Sequence, residues 1–526
     1  AGQRGAGGAG GRGGDPAGAR PARDGSVSPK HFALLRDPAL RDPRGYIVPA
    51  LQPDFPTATK FINTLIRNGI TVLRATRDFE VAVKRHPAGS YVVKTAQAFR
   101  PHILDMFEPQ DHPNDFPYPG GPPIPPYDNA GWTLAYQMGV QFDRILDGFD
   151  GPFAKLEGPA TPPPGTVARA EGAAGFLLSH QPNDAVIATN RLLAKQQAVH
   201  WLARSLEANG KTYPAGTIYI PANVVTVPLV QQLAVELGLS FDPVARAPGG
   251  EVLRARPVRV GLWDRYGGSM PSGWTRWLLE RFEFPFEVVF AAALDSGKLA
   301  ERFDVLVFPD GAIPDSDRVQ PSTGAGAPPP PDPARIPAEY RSRLGRVTVA
   351  ATVPRLRQFL SDGGTIIAIG SSTSMGRHAG LPVSSHLAQD GKPLPRSRFY
   401  VPGSVLGARV DTTRPVAWGV PEQVDLFFDE SPVFALAPDA GRLGVRPVAW
   451  FDNDRPLRSG WAWGQEHLKD GVAVVEAAVG DKGGKLYLFG PEILHRGQPH
   501  ATFKFFFNAI HLAGAVAAEQ AETGSN

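Results

Sequence analysis

Two stretches of the chain repeat one another, and this repeat constrains the fold more than any other feature. HPAGSYVV at 86–93 matches YPAGTIYI at 213–220 at an offset of 127 residues, and GYIV at 45–48 matches GFLL at 175–178 at an offset of 130. Each copy has the order strand, helix, strand, PAG turn, strand. The sequence therefore predicts a tandem duplication of a small α/β unit, over 45–110 and 171–256.

Helix caps are predicted at the same place in both copies. In the first copy Asp54 precedes an apolar stripe at helical spacing, and Gly69 ends it. In the second copy Asn183 or Asp184 is the predicted cap. Duplicated units of this kind are typical of a scaffold.

Between the copies lies an aromatic and proline-rich segment, 111–151, which we call the clasp. Its first half holds too much Pro and Gly for a helix or an inner strand. A short helix is predicted to start at Asp128 or Asn129 and to end at Gly139. We expect the clasp to pack between the units on either side of it, because a bare linker would lack its aromatic residues: Phe116, Tyr118, Tyr127, Trp132, Tyr136 and Phe142.

From residue 257 onward the strands and helices alternate over longer segments. This alternation predicts a doubly wound, mostly parallel sheet, so the whole chain is placed in the α/β class. A proline-rich insertion interrupts the domain at 313–345. The predicted domains are a disordered Gly/Ala/Arg-rich linker at 1–44, the first copy at 45–110, the clasp and a linker at 111–170, the second copy at 171–256, the third domain at 257–516 and a tail at 517–526.

The charge distribution disfavours a nucleic-acid-binding domain. The formal net charge of the 526 residues is +3, whereas 1–44 alone hold seven Arg and one Lys against four Asp. No predicted folded part therefore carries the excess positive charge that phosphate binding needs. The linker also lacks the aromatic residues that would stack on bases.

The sequence lacks both cysteine and a long apolar run, and each absence limits what the chain can do. The chain has no cysteine, which excludes disulfides, thiolate nucleophiles and Cys-ligated zinc. It also has no apolar run of the roughly 18 residues that a membrane span needs. The start at Ala1 without Met is interpreted as that of a processed product or a fragment.

Ligands of doubly wound sheets bind at the carboxyl ends of the strands, and the sequence offers candidates there. Ser371 and Ser372 follow a buried strand and imitate a nucleophile elbow, although an ordinary strand-to-helix turn is the alternative. A ligand-binding set is also predicted, namely Trp263, Tyr266, Asp310 and Gly311. Trp274 and Trp277 are further stacking surfaces unless they pack in the core.

Metal ligation has only weak candidates. None of the twelve His residues is followed by Glu three positions on, as the HxxE motif of a metallocarboxypeptidase requires. His495 and His500 flank a loop beside the last predicted helix and could bind a metal or an anion. The sequence therefore predicts neither a metal nor a cofactor for this chain.

The third domain resembles the class I glutamine amidotransferase fold. The resemblance rests on VRVGLW at 258–263, Pro309-Asp310-Gly311, the strand before Gly370 and FGPE at 489–492. It implies a nucleophilic Cys on the elbow and a His in an HPE motif. Here the elbow offers Ser371 or Ser372 and the His position is Gly490, so the resemblance implies a degenerate domain without glutaminase activity.

The clasp and its flanks resemble one group of bacterial secreted zinc carboxypeptidase-like proteins. The most specific stretches are at 87–113, 118–140 and 213–222, and the resemblance runs from about 45 to about 514. It implies an upstream or separate carboxypeptidase catalytic domain as a partner, zinc only in that domain, and a secreted or periplasmic location. No catalytic residue of the group has a counterpart here.

Three hypotheses for function follow. The first is a non-catalytic accessory or scaffold region beside a zinc carboxypeptidase domain, and the second is a binding module for a peptide, carbohydrate or cell-wall fragment at the strand ends. The third is a serine hydrolase at Ser372. A homo-oligomer is also a prediction, because of the aromatic-rich clasp.

Overall fold

The computed structural model describes residues 29–34, 36–38, 40–168, 172–317 and 332–520. Most of the predicted linker, the centre of the proline-rich insertion (318–331) and the last six residues lie outside this described part. Within the predicted disordered linker, Pro29–Leu34 form a helix. The described part is a mixed α/β structure with several sheets.

The first unit is built on a five-stranded antiparallel sheet, with a separate hairpin of Phe79–Val81 and Lys84–His86. In spatial order its strands are Asp143–Ile145, Gly45–Val48, Tyr91–Lys94, Leu73–Ala75 and Phe153–Lys155. Its helices are Phe55–Arg67, Arg100–Phe107 and Leu134–Gln137.

The first helix begins where the sequence predicts. Asp54 Oδ1 accepts a hydrogen bond from Thr57 N at 3.0 Å, and Pro56 occupies the first turn. Phe61, Ile62 and Leu65 are fully buried against the sheet. Gly69, at φ +84°, follows the last turn, so the predicted cap and the predicted end are both confirmed.

The second unit has a six-stranded antiparallel sheet and a hairpin of Leu206–Ala208 and Lys211–Tyr213. In spatial order the strands are Phe241–Val244, Gly175–Leu178, Ile218–Pro221, His200–Leu202, Gly250–Arg254 and Val516–Gln520. Its helices are Ala185–Ala194 and Thr226–Leu237. The predicted tail therefore begins with a strand that returns to this sheet.

The third unit has a twelve-stranded mixed sheet. Its parallel part is, in spatial order, Phe286–Val289, Val260–Trp263, Val305–Phe308, Thr365–Ile369 and Gly484–Phe489. Its antiparallel part contains Val472–Val479, Val445–Trp450, Ser404–Val410, Gln423–Phe428, Phe434–Leu436, Val383–Ser385 and Leu457–Ser459. A hairpin of Ala388–Gln389 and Lys392–Pro393 stands apart.

Helices flank this sheet. The α-helices are Met270–Arg281, Ala291–Asp295, Leu299–Arg302, Thr352–Ser361, Met375–His378 and Phe503–Gly514. The 3₁₀ helices are Pro333–Arg335, Ala338–Arg343, Gly370–Ser374, Pro415–Ala417, Ala440–Leu443, Gln465–Leu468 and His495–Gly497. No described helix is both long enough and apolar enough to span a bilayer.

The expected mostly parallel sheet is parallel over five strands only. The antiparallel strands come from 383–479, a stretch in which the sequence analysis assigned no element. Ser404–Val410 shows why these strands were missed. Buried and exposed residues are mixed along it, so it lacks the continuous apolar run by which a parallel core strand is recognised. The amount of parallel sheet was therefore overestimated.

The clasp, which was predicted to pack between the units on either side of it, packs against the first unit and the third unit. Ala130 N and Gly131 N both donate to Gly403 O, at 2.8 and 3.0 Å. Gly131 lies so close to Gly460 that an added Cβ would be 2.2 Å from the Gly460 nitrogen. The clasp helix starts at Leu134 and not, as predicted, at Asp128 or Asn129, and Asp128 is paired with Arg496 of the third unit.

A buried polar cluster joins the three units, and we call it the junction. Lys504 Nζ donates to Asn183 Oδ1 at 2.9 Å, and Asn183 N donates to Asp54 Oδ2 at 2.9 Å. Asp184 precedes the helix Ala185–Ala194 without a side-chain capping bond and pairs instead with Lys60 Nζ at 2.5 Å. Asn183 therefore links the helix start of the first unit to one lysine of the third unit.

Candidate functional site

A cavity of about 300 Å³ lies at the carboxyl ends of three parallel strands of the third unit. Asp310 follows Val305–Phe308, Ser371 follows Thr365–Ile369, and Glu492 follows Gly484–Phe489. Such ends are the usual ligand site of an open parallel sheet. The cavity is lined by Met270, Pro271, Trp274, Thr275, Pro309, Asp310, Ile369, Gly370, Ser371, Asp429, Glu430, Ser431, Pro432, Glu492, Leu494, His495 and Arg496.

Asp310 is held by the neighbouring strand end. Its Oδ1 accepts hydrogen bonds from Ser371 N at 2.7 Å and from Ser371 Oγ at 2.6 Å. Gly311 N in turn donates to Ser371 Oγ at 2.9 Å. These bonds fix one carboxylate oxygen of Asp310 and leave the other available to a ligand.

Glu492 faces Asp310 across Gly370. A Cβ added at Gly370 would lie 2.5 Å from Asp310 Oδ1 and 2.8 Å from Glu492 Oε1. Gly370 also has φ +60°, where other residues are strained. Only glycine therefore lets these two carboxyl groups approach from either side of the strand end.

Burial raises the pKa of Glu492 to about 8, and the like charges of Asp310 and Asp429 add to the effect. Glu492 forms no side-chain hydrogen bond with any described residue. Near neutral pH the Glu492 carboxyl is therefore mostly protonated.

Asp429 completes the acidic wall of the cavity. It follows the antiparallel strand Gln423–Phe428, and its Oδ1 accepts from Gly403 N at 3.0 Å. Burial raises its pKa, and Asp310 and Asp128 raise it further. Sequence analysis missed Asp429 because it lies in a stretch with no assigned element and no motif.

His495 and Arg496 form the opposite side. The His495 ring stacks on Phe427 with 3.9 Å between ring centroids, and burial lowers its pKa to about 4, so the ring is neutral. Arg496 donates two hydrogen bonds to Asp128 of the clasp, at 2.7 and 2.6 Å. The positive charge of Arg496 is therefore already matched by the clasp carboxylate.

Trp274 supplies an aromatic wall. Its side chain is 37% exposed and meets Trp277 edge to face at 6.2 Å between ring centroids. These two indoles lie at the surface and not in the core. Trp274 therefore leaves a ring available to apolar or aliphatic parts of a ligand.

The predicted ligand-binding residues have separate locations. Asp310 lines the cavity, and Gly311 supports it through Ser371. Trp263 is 6% exposed and packs in the core of the third unit, so it cannot serve as a stacking surface. Tyr266 is half-buried in the loop before Met270–Arg281 and does not line this cavity.

Ser372 has a structural role. Its fully buried Oγ accepts from Ala312 N and Ile313 N, both at 3.0 Å, and donates to Pro309 O at 2.6 Å. His378, the nearest His in sequence, has its Nε2 2.9 Å from Pro314 O. The predicted nucleophile thus ties two strand ends together and has no histidine base, whereas Ser371 lines the cavity as a partner of Asp310.

The two candidate metal histidines lie in different surroundings. His495 lines the cavity, whereas His500 is beside the junction, where burial and then Lys60 and Lys504 lower its pKa to about 3. Across the part of the chain that the structure describes, no three or more His, Asp or Glu residues form a group that could hold a metal ion.

Comparisons with known proteins establish no family. A scan against protein-family models and a search of curated proteins both found no match. Similar solved structures include a putative ThuA-like protein from Bacteroides uniformis, at 9% identity and TM-score 0.26, covering 47% of this chain and 89% of that one.

Two others are amidotransferase-like. A putative GMP synthase protein from Thermoplasma acidophilum aligns at 12% identity and TM-score 0.28, covering 48% of this chain and 94% of that one. A glutamine amidotransferase from Thermotoga maritima aligns at 8% identity and TM-score 0.29, covering 49% and 98%. Likeness at this level carries no argument about what this chain does.

Proposed function

We propose that the third unit binds a small polar ligand through a cationic group, an ammonium, seated among Asp310, Asp429 and Glu492. The observation that carries the proposal is the convergence of these three carboxyl groups on one cavity whose lining arginine, Arg496, is already paired with Asp128. A cation in this position would favour the charged forms of all three groups.

The remaining walls suit the rest of such a ligand. Trp274 can cover aliphatic or sugar-ring carbons, and Ser371 together with the neutral His495 adds polar contacts. Peptides with a free amino terminus and amino sugars of cell-wall fragments share the ammonium group. The proposal therefore concerns that group, and the experiment must separate the two sources.

Calorimetric titration with matched pairs of compounds tests the proposal. We expect glycylglycine or glucosamine to bind, and their N-acetylated forms to bind at least about tenfold more weakly, since acetylation removes the charge. Asp310→Asn should weaken binding by a similar factor, whereas Asp481→Asn, at an exposed site away from the cavity, should not. Equal binding of the acetylated compounds would contradict an ammonium site.

A second proposal is the accessory role beside a zinc carboxypeptidase domain. It is supported by the sequence stretches at 87–113, 118–140 and 213–222, and it implies export to a secreted or periplasmic location. The intact mass of the protein from its native source, with zinc counted in the same sample, tests it. A larger mass with one bound zinc is expected, and a mass equal to this chain without zinc would contradict it.

We also infer that the first and second units are copies of one ancestral unit. Matching strand registers support this, since Arg74 pairs with Tyr91 as Trp201 pairs with Ile218, at the same offset of 127 residues. The central order of first, third and second strand is also common to both sheets. Arg74 of the first unit therefore corresponds to Trp201 of the second.

A further inference from the structure

One face of the second unit is an interface with the third unit. Gly216 of the PAG turn is buried under Trp418, and a Cβ added at Gly216 would lie 2.6 Å from Trp418 Cβ. Trp418 belongs to the same apolar cluster as Trp201. An aromatic side chain from a neighbouring loop thus covers the PAG turn of this copy.

Polar contacts fix the same interface. His180 Nδ1 lies 2.8 Å from Gly216 O, and its Nε2 lies 2.7 Å from Asn508 Oδ1. Asn508 Nδ2 donates to Trp418 O at 2.9 Å. The interface therefore joins the turn, the loop that carries Trp418 and the last helix of the third unit.

The corresponding face of the first unit is open. Its PAG turn has the same left-handed glycine, with Gly89 at φ +86° where Gly216 has +83°. A mostly apolar cleft of about 550 Å³ lies there, and Arg74 forms no ion pair with any described residue. The cleft is lined by Ala50, Phe55, Arg74, Ala75, Thr76, Ala88, Gly89, Ala154, Lys155, Leu156 and Pro163.

The chain also presents an aromatic loop that could fill such a cleft. Within 115–127 of the clasp, Tyr127 is fully exposed and Tyr118 is 62% exposed. Both ends of the loop are held. Before it, Asn114 Oδ1 accepts a hydrogen bond from Trp461 Nε1 at 2.8 Å, and after it Asp128 is paired with Arg496. A loop fixed in advance loses little conformational entropy on docking.

We propose that the 115–127 loop of a second copy of this chain docks in the first unit's cleft, so that two copies form a reciprocal dimer. In the second unit an aromatic side chain, Trp418, already covers the PAG turn. The charges are complementary, because Asp115 on the loop and Arg74 in the cleft both lack an ion-pair partner among the described residues. The inference rests on the duplication and not on the ammonium site.

Sedimentation velocity over a concentration series tests the dimer. We expect the wild-type chain to dimerise below about 100 μM, and Tyr118→Ser/Tyr127→Ser to raise the dissociation constant at least about tenfold. Ala88→Lys, which fills the cleft, should have the same effect. Leu443→Ser, at another exposed apolar position, is the control and should leave association unchanged.

A mixture of the two weakened proteins gives a second test. The loop variant keeps an intact cleft and Ala88→Lys keeps an intact loop, so together they should form a mixed dimer through one contact, more tightly than either does alone. A wild-type chain that stays monomeric would overturn the proposal, and so would dimers unaffected by both variants.

Discussion

Glu492 is the residue whose surroundings depart furthest from those of an ordinary carboxyl at the proposed site. Burial raises its pKa first, and the like charges of Asp310 and Asp429 add to the effect, Asp310 being able to approach because Gly370 has no side chain. Gly370 therefore contributes to the raised pKa by leaving room for the second carboxyl group.

This state predicts a pH dependence of stability. Between an ordinary pKa of 4.5 and about 8, the folded chain keeps the Glu492 proton that the unfolded chain has released. The contribution of Glu492 to the free energy of unfolding should thus fall as pH rises through this window and level off above it. Glu492→Gln should remove that fall.

Urea unfolding of both proteins from pH 5 to pH 9 measures the difference. We expect the advantage of Glu492→Gln over wild type to grow with pH up to about 8, and Glu80→Gln, at an exposed position of the first unit, to show no such trend. A constant difference between Glu492→Gln and wild type across the range would contradict the raised pKa.

At the scale of elements, the clasp meets the third unit through a close backbone contact at Gly131. Gly131 lies against Gly460, and the two amide hydrogen bonds to Gly403 O fix it there. Because both sides of this contact are main chain, neither can move aside as the end of a flexible side chain could.

Gly131→Ala should therefore be strongly destabilising. A methyl group at this position overpacks the contact, and we expect a loss of about 1–3 kcal/mol or more in the free energy of unfolding, measured by urea titration. Gly148→Ala is the matched control in the same segment, since nothing lies within 4 Å of its added Cβ, and it should be tolerated. Equal effects of the two substitutions would contradict the close backbone contact.

The sequence predicts where helices and strands begin and end, but not which distant residues they contact. The Asp54 cap, the end of the helix at Gly69 and the placement of Asp310 after a strand are predicted correctly, because each depends on neighbours within a few residues. The clasp was expected between the copies. Its contact with Gly403 and Gly460 was missed because glycine against glycine leaves no apolar pattern.

Only part of the candidate site could be predicted, because the sequence shows local signals and not contacts between distant parts of the chain. Asp310 and Ser371 follow buried parallel strands, whose apolar runs are easy to find. Asp429 follows an antiparallel strand in 383–479, and only the fold brings it to the cavity. Ser372 looked like a nucleophile in sequence, but its contacts with the neighbouring strand end appear only in three dimensions.

At the scale of the whole molecule, the junction holds the units together through buried charge. Lys504 is 5% exposed, and burial lowers its pKa while Asp54 and Asp184 oppose that shift. Without Lys504, Asn183 Oδ1 would lose its hydrogen-bond donor, and Asp54 and Asp184 would lose one nearby positive charge, although Asp184 would keep Lys60.

Lys504→Met should therefore cost about 1–3 kcal/mol in the free energy of unfolding, as expected when a buried acceptor, here Asn183 Oδ1, is left without its hydrogen-bond donor. Lys482→Met removes an exposed lysine paired with Asp362 at 3.0 Å and should cost no more than about 1 kcal/mol. Chemical denaturation at neutral pH compares the two, and similar costs would contradict a structural role for the junction.

Proton release on ligand binding is the measurement that tests the proposed ammonium site most directly. Glycylglycine or glucosamine is titrated near pH 7 in two buffers of different ionisation enthalpy. The site predicts buffer-dependent heat that corresponds to release of up to about one proton per ligand, because the bound cation drives ionisation of Glu492, and Glu492→Gln abolishes it. Binding with no buffer dependence, or no binding of the free amines, would contradict the account.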